Sequence, residues 1–530
     1  MKYKPTTFFT VTLSVFACCL FSFKVMASEK ILQNNCLGCH VPSESSAGKM
    51  QLSRISHQRK TPEGWSMTIA RMQHTHGLKI SPADRSTLVK YLADTQGITP
   101  TEAKPYRYIL ERRLNQQESK QPVLAEMCAR CHSEARIGLQ RRETTEWEKL
   151  VHFHLGQWPS VEYSAMGRDR NWFEVAIDQV VPYLGENYGF SESTWDQWTS
   201  QPKQLASGRW RVVGRSADKG DFQAVMKVDR EKDDNFGLIV EGEYSNGEKI
   251  RGVGSAVIYS GFEWRGALSL NGVEYRQVFS LAQSGTVMSG RMFEAEHEEM
   301  GIDITASKGD QPVILAVSPM YLKAGSTSVI SIRGNNLDGS VSLPDGLSVE
   351  EVLLEDRDEI RIKVSARTDM VSKRYSLAVG NTTMSEALAV YRRVDSVEVF
   401  PSYAVARVGG EGSQNKVKAN FTAKAFSAGP DKKTGTSDDF YIGAVDAKWR
   451  VEAFDQKAID DRDIEFAGSM NTTTGVFTPG AAGPNPKRKF GTNNAGRLNV
   501  VATVENQGSA IEGSAELIVT VQRWNNPPIR

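Results

Sequence analysis

The chain is poor in cysteine, with six among 530 residues. Two of these lie in an N-terminal stretch of distinctive character. Lys2 and Lys4 precede an apolar run from Phe8 to Phe23, and Val25 and Ala27 occupy the −3 and −1 positions of a small-residue cleavage site. This pattern predicts an exported chain cut after Ala27, with residues 1–27 as signal peptide. Cleavage removes Cys18 and Cys19 and leaves too little cysteine for a disulfide scaffold. The apolar run is short for a membrane span and no later segment is longer, so the mature chain is expected to cross no membrane. Charge of one sign is missing too: 64 basic and 63 acidic side chains leave +1. Without a basic patch, nucleic acid is excluded as a partner. Histidine is nearly absent from the later part, where only His297 follows residue 154. That part also lacks a phosphate loop and a supported Ser–His–Asp pattern, so it reads as scaffold.

What remains is concentrated. Every other cysteine falls in one of two boxes, CLGCH at 36–40 and CARCH at 128–132. A thioredoxin-like dithiol needs no following histidine, and a single Cys₄ zinc site leaves His40 and His132 without a role. Covalent haem attachment uses all six residues. Cys36, Cys39, Cys128 and Cys131 add to the vinyl groups of two haems, and His40 and His132 ligate the irons.

The two boxes sit in halves that look repeated, about 28–112 and 113–195. Aligning Trp65 with Trp147 sets Ile69 against Val151 and Met72 against His154. Trp65, Ile69 and Met72, like Trp147, Leu150 and His154, follow helical spacing along one face. Met72 and His154 are therefore the candidate distal ligands, with Met50, His57, His74, His76 and His152 as alternatives. A thioether favours ferrous iron, so a His40/Met72 haem should have the higher potential and a His132/His154 haem the lower, a downhill relay unless nearby charge reorders it. The stretch SPADRSTLVKYLADTQG reads as a capped helix, with Ser81 as N-cap, Pro82 first and Gly97 as stop.

Beyond residue 196 the periodicity shortens. Segments such as GRWRVVGRS, FGLIVEGEY and FEWRGALSL alternate and are separated by turn residues, which predicts an antiparallel β-barrel over 196–310. The next stretch, 311–395, is similar to immunoglobulin-like modules, and 396–530 has similar strand content. The expected architecture is multidomain: an all-α dihaem cytochrome c domain over 28–195, then all-β domains comprising a barrel and two immunoglobulin-like β-sandwiches. Asp431, Asp438 and Asp439 in AGPDKKTGTSDDFYIG suggest either a calcium loop or a polar hairpin tip.

With CLGCH and GWSMTIARM, CARCH and EWEKLVHFHLG, and the late AGPDKKTGTSDDFYIGAVDAKW, the mature chain resembles the alpha subunit of quinohaemoprotein amine dehydrogenase. The resemblance implies an alpha–beta–gamma heterotrimer, with a β-propeller chain and a small chain bearing a cysteine tryptophylquinone. It implies oxidation of primary amines to aldehydes, with electrons leaving through the haems to a soluble blue copper protein or cytochrome c. The absence of a free cysteine agrees with a quinone on another polypeptide. Two other functions fit the motifs: an independent dihaem carrier with β binding modules, and a dihaem peroxidase.

Overall fold

The computed structural model describes residues 28–522 apart from 45–49, 114–115, 117, 119–120, 164–169, 218, 411–413 and 507. The expected signal peptide lies outside the described residues. The first region runs through α1 (28–36), β1 (Pro42–Glu44), β2 (Met50–Leu52), β3 (Gln58–Lys60), α2 (Pro62–His76), α3 (Pro82–Thr95) and α4 (Pro100–Ala103). It continues with α5 (Pro122–Met127), α6 (Ala135–Gly138), β4 (Gln140–Arg142) and α7 (Thr144–Gln157). Local chemistry sets the helix ends. Thr61 caps α2 by accepting from Gly64 N, and Gly77 closes it in the left-handed region at φ 72°. Ser81 caps α3 by accepting from Asp84 N. Gly97 is needed for a further reason: a Cβ there would lie 2.4 Å from Ser260 Oγ, a residue packed on from beyond this region.

An all-α region over 28–195 is not what forms. Four three-residue strands form two antiparallel pairs there, β1 with β2 and β3 with β4. The chain as a whole is mostly strand. Strands β3 and β4, QRK and QRR, are polar and carry no apolar alternation. Their pairing is long-range, which local periodicity does not encode.

That pairing has an internal symmetry. Its register is Gln58↔Arg142, Arg59↔Arg141 and Lys60↔Gln140. In the alignment that sets Trp65 on Trp147, Gln58 corresponds to Gln140, Arg59 to Arg141 and Lys60 to Arg142. Each residue thus faces the counterpart of its own partner's equivalent, the self-complementary pattern of a twofold contact. A local pseudo-twofold passes between Arg59 and Arg141, and both guanidiniums meet the Glu102 carboxylate, at 2.8 and 3.1 Å.

Eight strands then close an up-and-down antiparallel barrel: β5 (Gly208–Ser216), β6 (Gly220–Lys232), β7 (Asn235–Tyr244), β8 (Lys249–Tyr259), β9 (Glu263–Leu270), β10 (Val273–Leu281), β11 (Val287–Glu294) and β12 (Gly301–Lys308). Closure is by β12 on β5, from Asp303↔Arg215 to Lys308↔Trp210. Trp210, Trp264, Phe222, Phe236, Phe279 and Met292 belong to the barrel's buried core, a packing that suits a scaffold. Two four-stranded sheets follow, sharing a core that includes Ile330, Ile362, Val364 and Val390. The last part packs three sheets around Phe421, Phe477, Leu498 and Leu517.

The first region is fastened to the barrel by polar contacts. Lys90 Nζ lies 2.7 Å from Asp234 Oδ2, and Arg265 of β9 pairs with Glu63 of α2 and with Glu263. Trp198 Nε1 donates to Ser260 O, and Arg291 Nη1 to Glu111 O.

Candidate haem site

Each Cys-x-x-Cys-His box is built where a helix stops and the chain turns. In the first, Cys39 N and His40 N both donate to Cys36 O. In the second, Cys128 N caps back to Leu124 O, and Cys131 N donates to Cys128 O. The four thiols are unbridged. In each box the first thiol is partly buried and the second exposed. Burial, with the neighbouring thiol, pushes Cys36 up to about 11 and Cys128 up to about 12.

The proximal imidazoles are held in one tautomer. His40 Nδ1 lies 2.7 Å from Ser53 O, and His132 Nδ1 lies 2.9 Å from Ser133 O. A carbonyl can only accept, so Nδ1 carries the proton and Nε2 keeps its lone pair for a metal. His154 is oriented in the same way, with Nδ1 2.8 Å from Leu150 O on its own helix.

His132 and His154 face each other with ring centres 6.5 Å apart. At the metal–nitrogen bond length of about 2.0 Å usual for histidine, a metal shared by two imidazoles separates their centres by roughly 6.4 Å. The spacing of the pair is therefore that of two imidazoles sharing one iron. Burial lowers the pKa of both rings, with cations adding to it: Arg136 at His132, and Arg71, Arg136 and Arg142 at His154. Both are thereby kept neutral, as ligation requires. Trp172 flanks His154 at 6.0 Å between ring centres, and Leu124, Met127, Trp147 and Val151 supply apolar wall.

The alternatives separate by position. His152 is exposed on α7 and meets the edge of Phe173 instead. His57 sits on the seam with Nδ1 2.9 Å from Glu143 Oε1, while His74 and His76 are exposed at the end of α2. Met50 lies on β2 with its sulfur 3.9 Å from Gln33 Nε2. Met72 is partly buried on α2, on the face of buried Trp65 and Ile69.

The halves repeat beyond the motifs. Lys60 stacks over Trp65 as Arg142 stacks over Trp147, at 5.1 and 5.5 Å. Each indole N–H donates to a backbone carbonyl, Gln96 O for Trp65 and Tyr188 O for Trp147. Sequence reading missed Arg71, Phe153, Glu102 and Trp172. The same alignment, extended to the residues preceding Met72 and His154, would have shown the first two as equivalents.

At 431–439 the carboxylates serve their own loop. Asp431 Oδ1 accepts from Lys433 N, Asp438 Oδ1 from Thr436 Oγ1, and Asp439 Oδ2 from Gly435 N. Among the described residues no group of three His, Cys, Asp or Glu side chains is placed to hold a metal ion. The loop joins two antiparallel strands, Thr422–Ser427 and Phe440–Val445.

Paired thiols, an oriented imidazole and apolar walls define a haem-binding protein. Four family models cover nearly the whole chain. They are quinohemoprotein amine dehydrogenase A, alpha subunit, haem binding, over 26–195, and alpha-subunit domains II over 203–309, III over 311–392 and IV over 397–529. The chain belongs to the quinohemoprotein amine dehydrogenase alpha-subunit family. Its first region is the haem-binding domain of a subunit in an oxidoreductase complex. No curated protein matches it. Among solved structures, a redesigned β-barrel, mFAP1, bound to DFHBI is 17% identical over 21% of this chain and all of its own, at TM-score 0.18. A Bacteroides ovatus glucan-utilisation protein, SGBP-B, with a mixed-linkage heptasaccharide is 12% identical over 60% of this chain and 64% of its own, also at 0.18. Domains 5–6 of the S-layer protein SbsC are 14% identical over 40% of this chain and all of their own, at 0.16. No helix among the described residues is long and apolar enough to cross a membrane.

Proposed function

We propose that this chain is the electron-transfer subunit of a periplasmic amine dehydrogenase and carries two covalent haem c groups. One is attached at Cys36 and Cys39, with His40 and Met72 as axial ligands. The other is attached at Cys128 and Cys131, with His132 and His154. Haem, when bound, supplies one-electron redox chemistry. The chain's own residues hold it, fix the imidazole tautomers and exclude water with the indoles of Trp147 and Trp172. The observation that carries this reading is the 6.5 Å separation of two imidazoles whose Nδ1 atoms are already committed.

On this reading a β-propeller chain and a small chain bearing a cysteine tryptophylquinone complete a heterotrimer. The quinone chain oxidises a primary amine to an aldehyde and delivers electrons singly to this subunit. A soluble blue copper protein or cytochrome c removes them. The four cysteines of the mature chain are all committed to haem, so the quinone belongs on another polypeptide.

Stopped-flow visible spectroscopy of the oxidised, natively purified complex after adding butylamine tests this. The expected result is reduction of both haems, with two further chains and two haems per alpha chain by mass. If dithionite reduces the haems but no amine does, and the chain runs alone, the reading fails.

A further inference from the structure

The pseudo-twofold that relates the halves brings one pair of equivalent residues together near the second haem site. Arg71 immediately precedes Met72, and Phe153 immediately precedes His154. They correspond to each other in the repeat, and they touch: the Arg71 guanidinium carbon lies 4.6 Å from the Phe153 ring centre. The first half thus lends a cation to the second half's site. Among the described residues neither Arg71 nor Arg136 has a carboxylate within ion-pairing distance. This contrasts with Arg54, paired with Glu146 at 3.0 Å, and with Arg59 and Arg141, which share Glu102. Arg136 is exposed and Arg71 partly buried; a partly buried cation without a paired anion imposes its field on what lies beside it.

We propose that Arg71 is a positioning residue that sets the electron affinity of the haem held between His132 and His154. This rests on the reading that a haem is bound there. Reduction at that site takes up one electron and breaks no bond, so a fixed cation nearby favours the reduced form. Bis-imidazole ligation alone would give this site the lower potential. The Arg71 charge narrows the gap between the two sites and keeps the electron free to move either way. Because the guanidinium is stacked on Phe153, its field falls on the second site although its backbone adjoins Met72.

The test is potentiometric titration of the full complex, followed in the visible spectrum, with electron paramagnetic resonance of the ferric state to separate the two haems. Wild type is compared with Arg71→Gln and Arg71→Lys. In Arg71→Gln the bis-imidazole haem should lose about tenfold in its electron-sharing equilibrium with the other haem, a one-electron shift of about 59 mV. Arg71→Lys should restore most of it. Equal potentials in wild type and Arg71→Gln, with two haems present by mass, would overturn the proposal. Loss of the second haem from both variants would also overturn it, since charge would then not be what matters. Loss from Arg71→Gln alone would overturn it as well, since the charge would then hold the haem rather than set its potential. A wild-type complex with no bis-imidazole signal fails the underlying reading instead, before any variant is compared.

Discussion

His152 and His154 stand two residues apart on α7, and only His154 is turned toward His132. Replacing His154 with Ala should leave the second iron five-coordinate, visible as conversion of one haem from low to high spin. His152→Ala should leave the spectrum unchanged. A low-spin spectrum in both variants would place the distal ligand elsewhere. The two Cys-x-x-Cys-His boxes and the face of α7 that carries Trp147 and His154 were legible in the sequence, because spacing and helical register are local properties. Arg71 was not, since its role depends on Phe153 arriving from the other half. A second buried residue makes a pH prediction. Glu263 is pushed up to about 8 by burial, against the pull of Arg265, and its Oε1 has no partner. The folded chain therefore holds a proton there that the unfolded chain loses near pH 4.3. Its contribution to stability is complete below that pH and is lost as pH rises toward 8. Glu263→Gln should flatten this slope in urea unfolding between pH 5 and 9, gaining on wild type at the alkaline end by on the order of 1–2 kcal/mol.

Strands β3 and β4 are only three residues each, yet Arg59 is 1% and Lys60 4% exposed. Such short polar strands persist because the Glu102 carboxylate satisfies both axial guanidiniums at once. It also completes the cap of α4, where Thr99 N donates to Glu102 Oε2. Burial alone would raise the Glu102 carboxyl, but Arg59 and Arg141 hold it below the usual range. The seam is therefore charged and intact at neutral pH and weakens only in acid, as pH falls below about 4.3. Glu102→Gln keeps the shape and removes the charge, leaving two buried cations uncompensated. It should cost about 3 kcal/mol in chemical unfolding followed by the Soret band. A loss of a few tenths would mean that the strands are held by their ladder bonds instead. The helices flanking this seam were legible from caps and periodicity: Ser81, Pro82 and the Trp65–Ile69 face all fall where expected. The strands between them offered no alternation to find, which is why the region looked wholly helical.

The whole molecule joins a redox region to a long β scaffold, and the join is neither small nor flexible in its chemistry. Lys90 meets Asp94 and Asp234, Ser260 N donates to Asp94 Oδ1, and Ser260 Oγ donates to Ala93 O. Phe262 of the barrel shares a core with Ile98, Ala103 and Leu139 of the haem region. Interfaces between independent domains of one chain are usually polar and permit relative motion. Here a fully buried aromatic ring and the Glu63–Arg265–Glu263 triad lie at the boundary, so the haem region and barrel should unfold together. Thermal scans of the Soret band and of tryptophan emission, the latter dominated in the barrel by Trp210 and Trp264, should therefore coincide at one midpoint. Arg265→Ala leaves Glu63, which this guanidinium holds ionised, without its cation and should separate the two curves, the haem signal melting first. Separate midpoints already in wild type would mean that the haem region answers to its own core alone. In that case its orientation on the scaffold, and with it the distance from a partner's redox centre, would not be fixed by these contacts.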